Sequence, residues 1–361
     1  MKKQRKIKIY NIFILLFILI ILAIVFFFLY KSLTKPKEET VNDDNTLQEE
    51  VIEPEEPIVE EKKLTIIDEE SNSRNIAVMY NNISTVWGYQ AGLQDAYLVY
   101  EIIVEGGYTR LMAIFKDKET TRIGSVRSSR PYFLDYALEN DAIYVHFGAS
   151  TQANKDIKSL KINNINGMYD NAFWRDRSLG LATEHTAFTS MKKINDWIKD
   201  KKYRTTTEVS PVLNYSADEI DLSSMEGAIV ANDILIDYSA SRTTSYEYDA
   251  ENKVYLRIQG TSSKSYPHID YVTKEQYHTK NIIIYQVKNY RLDSKDRQEL
   301  ENEGTGEGYF ITNGYAVPIT WEKSSRESKT IYRYLNGEEI KVNDGNTFIQ
   351  IQPLNRKLKI G

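Results

Sequence analysis

Cysteine does not occur anywhere in the 361 residues. That excludes a disulfide framework, a thiolate metal site, a cysteine nucleophile and a lipid-modified cysteine. Histidine is nearly as scarce. The four present, His146, His185, His268 and His278, include no pair at i, i+2 or i, i+4 spacing, so a metal site has no support and nothing calls for a cofactor. A third absence is local: between Glu38 and Glu61 there are eleven Asp or Glu but no Lys or Arg. With Pro54 and Pro57 inside it and little apolar surface to bury, that stretch reads as a solvated, self-repelling tether.

What is present begins with an unbroken apolar run from Ile12 to Tyr30, preceded by Lys2, Lys3, Arg5, Lys6 and Lys8 and no acid. About twenty apolar residues cross a hydrocarbon core of about 30 Å, whereas a secretory apolar segment needs only about seven to fifteen. No small-residue cleavage site follows. The expectation is a cytoplasmic basic tail at 1–11, a single transmembrane helix at 12–30, a disordered acidic linker at 31–63 and everything beyond outside the cell membrane. A cleaved signal peptide is the alternative, and it exports the remainder equally. Residues 62–361 hold 38 basic and 40 acidic side chains, so the folded part is nearly neutral. No basic stripe marks a nucleic-acid partner; the partners expected are the cytoplasmic membrane, through the helix, and a cell-wall polymer or envelope protein.

About 300 residues suffice for two cores, and the polar stretch Lys199–Glu208 with Pro211 beyond it suggests a break. The fold class expected is α+β, with a mixed α/β domain over 64–203 and a mainly antiparallel β domain over 204–361. In the first, Asn75–Tyr80, Tyr97–Glu105, Tyr108–Phe115 and Ala142–Phe147 read as strands. Pro131 suits the first turn of a helix and Ser150 suits the cap of another. In the second, Ala228–Ile236, Ser245–Tyr248, Val254–Ile258 and Asn281–Val287 read as strands, and Asn313-Gly314, Asn336-Gly337 and Asp344-Gly345 as hairpin turns. Gly304, Gly306 and Gly308 resemble a phosphate loop only superficially and read as a β-turn segment.

Two constellations carry chemistry. A two-residue loop at Gly106-Gly107 would pair Glu105 with Tyr108, Ile103 with Arg110 and Glu101 with Met112, putting Glu101, Glu105 and Arg110 on one face. Such a set serves as an acid and base with divergent pKa values, or as a cross-strand ion-pair cluster. The second is Arg122, Gly124, Ser125, Arg127, Ser128, Ser129 and Arg130, just before a helix start. Guanidinium forks beside a helix N-terminus suit a phosphate or carboxylate, unless they pair with internal acids. His146 ends a strand where α/β sheets place ligand groups, and His185 sits in Thr183-Glu184-His185-Thr186. Ser125 and Ser128 lack the G-x-S-x-G context of a nucleophile.

Glu101-Ile-Ile-Val-Glu-Gly-Gly-Tyr-Thr-Arg110, Arg122-Ile-Gly-Ser-Val-Arg-Ser-Ser-Arg-Pro-Tyr132, Asp141–His146 and Phe173–Asp176 resemble the DUF3048 family, the YerB-type lipoproteins found mainly in Gram-positive bacteria. Gly304–Tyr309, Ile319–Lys323 and Gly345–Gln350 resemble its second domain, so the resemblance spans roughly residues 70–353. It implies a two-domain extracytoplasmic protein and no particular reaction. Family members commonly carry a lipidated cysteine, replaced here by the apolar helix. They tend to have His-Asn where this chain has His185-Thr186, and proline at Ser125.

The leading expectation is a membrane-tethered binding or accessory module that holds an anionic or polar envelope ligand, with Glu101, Glu105, Arg110, Arg122, Arg127, Arg130, His146 and His185 as candidate ligand-binding residues. The alternatives are a cell-wall hydrolase or transferase using Glu101 or Glu105 with His146 or His185, and a structural partner of another envelope protein.

Overall fold

The computed structural model describes residues 62–361. The expected cytoplasmic tail, the transmembrane helix at 12–30 and nearly all of the acidic linker lie outside the described residues. Among the described residues no helix is long and apolar enough to cross a membrane.

The strands of the two large sheets are numbered in chain order. The first half supplies β1 (Ile76–Asn81), β2 (Leu98–Ile103), β3 (Thr109–Phe115), β4 (Ile143–His146) and β5 (Asn164–Asn166). It also supplies the helices α1 (Pro131–Glu139), α2 (Thr151–Ser159) and α3 (Met191–Asp200). The second half supplies β6 (Ile229–Val230), β7 (Asp233–Ser239), β8 (Arg242–Asp249), β9 (Val254–Gly260), β10 (Ser265–Pro267) and β11 (His278–Thr279). It continues with β12 (Asn281–Val287), β13 (Gly304–Thr312), β14 (Tyr315–Lys323), β15 (Ile331–Tyr334), β16 (Thr347–Pro353) and β17 (Leu358–Ile360).

Local chemistry accounts for the helix starts. Pro131 occupies the first turn of α1, where a missing N–H costs nothing. Ser150 Oγ accepts from Ala153 N at 3.2 Å to cap α2, and Ser190 Oγ does the same from Lys193 N at 3.3 Å for α3. In α3 the buried residues Met191, Ile194 and Ile198 recur at helical spacing and make one apolar stripe.

Eleven strands form one sheet in the order β6-β14-β13-β12-β16-β2-β3-β1-β4-β5, with β15 added on β14. The two halves of the chain therefore share a single sheet. β16 joins them, pairing parallel with β12 on one side and with β2 on the other, and all seven of its residues are buried. A strand walled in on both faces and both edges is what a parallel pairing demands. The second sheet, order β10-β9-β8-β7-β17 with β11 on β9, covers one face of the first. Tyr238 Oη of β7 reaches Gln350 Oε1 of β16 at 2.9 Å across that interface. On the opposite face lies α1, where Tyr136 stacks on Tyr100 with centroids 4.8 Å apart and meets Tyr285 Oη at 3.0 Å. The result is a predominantly β, α+β fold.

Two expectations are corrected. Ala228–Ile236 is not one strand: β6 belongs to the large sheet and β7 to the second, with the chain crossing between them. Asp344-Gly345 is not a hairpin turn. Lys341–Asn343 before it pairs parallel with Asn214–Ser216, while β16 after it enters the large sheet, so the dipeptide turns a corner between sheets. Asn313-Gly314 does close a tight hairpin: β13 and β14 pair from Thr312 with Tyr315, and both turn residues have positive φ, 49° and 80°.

Candidate functional site

The β2–β3 hairpin departs from the expected register by one residue. Glu105–Gly107 form a short 3-10 turn with Gly106 and Gly107 both at φ 69°, and the pairs are Ile103 with Thr109, Ile102 with Arg110 and Glu101 with Leu111. A one-residue slip reverses the face of every side chain on one strand relative to the other. Glu101 and Arg110 therefore lie on opposite faces of the sheet, and the acid–base set expected on one face does not exist.

Glu101 points between the two sheets and is fully buried. Its carboxylate accepts from Thr109 Oγ1 at 2.7 Å, Asn82 Nδ2 at 3.1 Å, Arg242 Nη2 at 3.0 Å, Thr244 Oγ1 at 3.0 Å and Arg257 Nη2 at 2.6 Å. Burial alone would push its pKa up, but Arg242 and Arg257 together with these donors hold it at about 2. This is an internal ion-pair network with no access to a solute. Arg257 reaches on to His268 Nδ1, whose Nε2 meets Gln90 Oε1 at 2.6 Å, so His268 is also spent inside the core.

Arg110 faces the other way, into a cleft of about 430 Å³ beyond the carboxyl end of β1. In sheets with parallel neighbours, such as β1 and β4, that end is where ligands bind. Segment 126–129 crosses there: Arg127 N donates to Met79 O at 3.0 Å, and Phe147 N to Arg127 O at 3.0 Å. The cleft is lined by Arg110, Arg127 and Arg130, by Glu105, by Asn81 and Ser150, and by Ile83, Val104 and Tyr108. Lys295 and Arg297 reach it from the second half. Five cationic side chains thus surround one carboxylate.

That carboxylate is already engaged. Arg130 Nε and Nη2 grip Glu105 at 2.5 and 2.8 Å, a bidentate pair that outweighs burial and keeps Glu105 below its usual range. Arg110 is only 7 % exposed. Its one hydrogen bond runs from Nη1 to Ser128 O at 2.5 Å, and it makes no ion pair among the described residues. Burial, reinforced by the neighbouring Arg130, pulls it down to about 9. Arg127 spends only Nη1, on Glu184 O at 3.2 Å, and burial lowers it too. Two guanidinium groups therefore present unused donors to one cleft.

The other expected residues lie apart. Arg122 pairs with Asp176 Oδ2 at 2.7 Å and lies over the Phe188 ring at 3.9 Å, outside the cleft, so the arginine-rich segment serves two places. His146 is buried, with Nδ1 at 2.8 Å from Gly148 O and Nε2 at 3.2 Å from Asn164 Oδ1, and burial lowers its pKa. It fastens the β4–α2 turn and does not line the cleft. His185 is nearer: its Nδ1 lies 3.1 Å from Nδ2 of the cleft residue Asn81, and burial together with Arg127 lowers its pKa. Lys295 and Arg297 were not legible as site residues. They sit in a charged turn between Asn289–Arg291 and Gln298–Leu300, held to the β2–β3 hairpin by Gly106 N donating to Asp296 Oδ2 at 2.6 Å. Among the described residues no cluster of three His, Asp or Glu is arranged to hold a metal ion.

Residues 64–204 match the family described as "Protein of unknown function (DUF3048) N-terminal domain", and residues 234–349 match its C-terminal domain. The chain belongs to the DUF3048 family. The relative named "Putative lipoprotein YerB", from Bacillus subtilis (strain 168), is 29% identical over 286 residues, 78% of this chain and 81% of YerB. The crystal structure of YerB from the same organism superposes with a TM-score of 0.68 at 26% identity, covering 80% of this chain and 94% of that one. One of the segments through which this chain resembles DUF3048 proteins, Glu101–Arg110, is the β2–β3 hairpin that sends Glu101 into the core and Arg110 into the cleft.

Proposed function

We propose that this protein is an extracytoplasmic binding or accessory module, held at the outer face of the cell membrane by the apolar helix at 12–30, that takes an anionic cell-envelope ligand in the cleft around Arg110, Arg127 and Arg130. The observation that carries the reading is Arg110, a nearly buried guanidinium in the cleft wall with no carboxylate partner among the described residues. A buried cation without an acid is costly, and such a cost is retained where a ligand supplies the counter-charge. Lys295, which makes no ion pair among the described residues, adds to the field that draws an anion in, while Arg297 is already paired with Asp293. The lipoprotein name of the YerB relative supports the placement at the membrane. The test is cosedimentation of the protein with purified Gram-positive cell wall at low and high salt. Binding that weakens with salt and is lost in Arg127→Ala is expected; binding indifferent to both would refute the reading.

A further inference from the structure

We infer that the anionic group held in the cleft is a phosphate ester and not a carboxylate, an inference that rests on the cleft being the ligand site proposed above. The first reason is the number of unused donors. A carboxylate brings one negative charge, and a single guanidinium balances it, as Arg130 balances Glu105. The cleft holds two further guanidinium groups, Arg110 and Arg127, each spending one N–H on a backbone carbonyl, and it also holds Lys295, which makes no ion pair among the described residues. A phosphate ester presents up to three oxygens in a tetrahedral array and a charge approaching −2, enough to engage both forks at once.

The second reason is position. Ser150, which caps α2, lines the same cleft, so the positive end of a nine-residue helix faces the same space as the nearly buried Arg110. The third is the apolar part of the wall. Ile83, Val104 and Tyr108 offer carbon surface that suits the organic part of an ester. A lipid headgroup and a polyol-phosphate chain share this chemistry.

The test titrates the full-length protein in nonionic detergent, at low salt and pH 7.5, with glycerol 3-phosphate and with glycerate, which differ chiefly in the anion. Glycerol 3-phosphate should bind at least about tenfold more tightly, and Arg127→Gln should weaken it at least about tenfold. Its affinity should fall from pH 7 to pH 5 as the second phosphate proton, with a pKa of about 6, returns. Arg110→Gln should act as Arg127→Gln does where melting shows it folded; if it does not fold, Arg127→Gln alone decides. Glycerate binding as tightly as glycerol 3-phosphate would overturn the phosphate inference and leave the anion site standing. Failure of both to bind would overturn both. Displacement of glycerol 3-phosphate by short-chain phosphatidylglycerol supports the inference with a lipid source, and displacement by a glycerol-phosphate oligomer supports it with a polymer source.

Discussion

Replacing Glu101 by glutamine removes the one negative charge between two guanidinium groups that are themselves fully buried. The magnitude follows from its titration. A carboxyl lowered from 4.5 to about 2 on folding contributes about 3 kcal/mol at neutral pH. Because the folded pKa is the depressed one, that stability is fully present above pH 4.5 and is lost as the pH falls toward 2. Glutamine keeps an acceptor but not the charge, so Glu101→Gln should cost about 3 kcal/mol at pH 7, in line with the 3–5 kcal/mol typical of breaking a buried ion pair. With an unfolding entropy of about 2.1 cal/mol/K per residue over roughly 300 residues, this lowers Tm by about 5 °C. Circular-dichroism melts of both proteins between pH 7 and pH 2 measure it. The gap should narrow steadily below pH 4.5. No gap at pH 7, or one that does not narrow in acid, would refute the reasoning. A folded Glu101→Gln protein should still bind its anion, because Glu101 does not reach the cleft.

Other outcomes follow from the same geometry. Arg127→Ala should change stability by less than about 0.5 kcal/mol in urea titrations, since its one hydrogen bond is to the Glu184 carbonyl, while anion affinity drops at least tenfold. Glu105→Gln breaks the bidentate pair with Arg130 and should cost about 1–2 kcal/mol in the same titration; by removing the one carboxylate that lines the cleft among the described residues it should also tighten anion binding several-fold by calorimetry. Glu139 accepts from Lys323 Nζ at 2.8 Å, Thr330 N at 2.9 Å and Tyr100 Oη at 2.7 Å, all buried. Glu139→Ala should therefore destabilise by about 3–5 kcal/mol in chemical denaturation and leave anion binding intact in whatever fraction stays folded.

How far the sequence could be read depended on the range of the interaction concerned. Pro131 and Ser150 announce their helices because a cap and a first-turn proline act within one turn of chain. Asn281–Val287 is read to the residue, since its apolar run is bounded by polar neighbours and fully used by the sheet. The Gly106-Gly107 link announces a hairpin but not its register. Two glycines allow either a two-residue loop or the 3-10 turn adopted, and that difference alone moves Glu101 from the site to the core. The partners that decide the matter, Arg242 and Arg257, lie more than 140 residues away in sequence. The insertion of β16 between β2 and β12 was equally hidden, because a parallel pairing leaves no local turn to read. Of the cleft, Arg127 and Arg130 were visible as charge at a helix start, and Arg110 and Glu105 as charge on the hairpin beside it. Lys295 and Arg297 resemble any solvated turn until the fold carries them to the hairpin.

The most direct test of the account follows the arginine Nε–Hε signals by NMR as soluble cell-wall anion is titrated into the protein. Saturable shifts at Arg110 and Arg127, with Arg122, Arg242 and Arg257 unmoved, are predicted. Saturable binding that shifts other arginines and leaves Arg110 and Arg127 unchanged would contradict it.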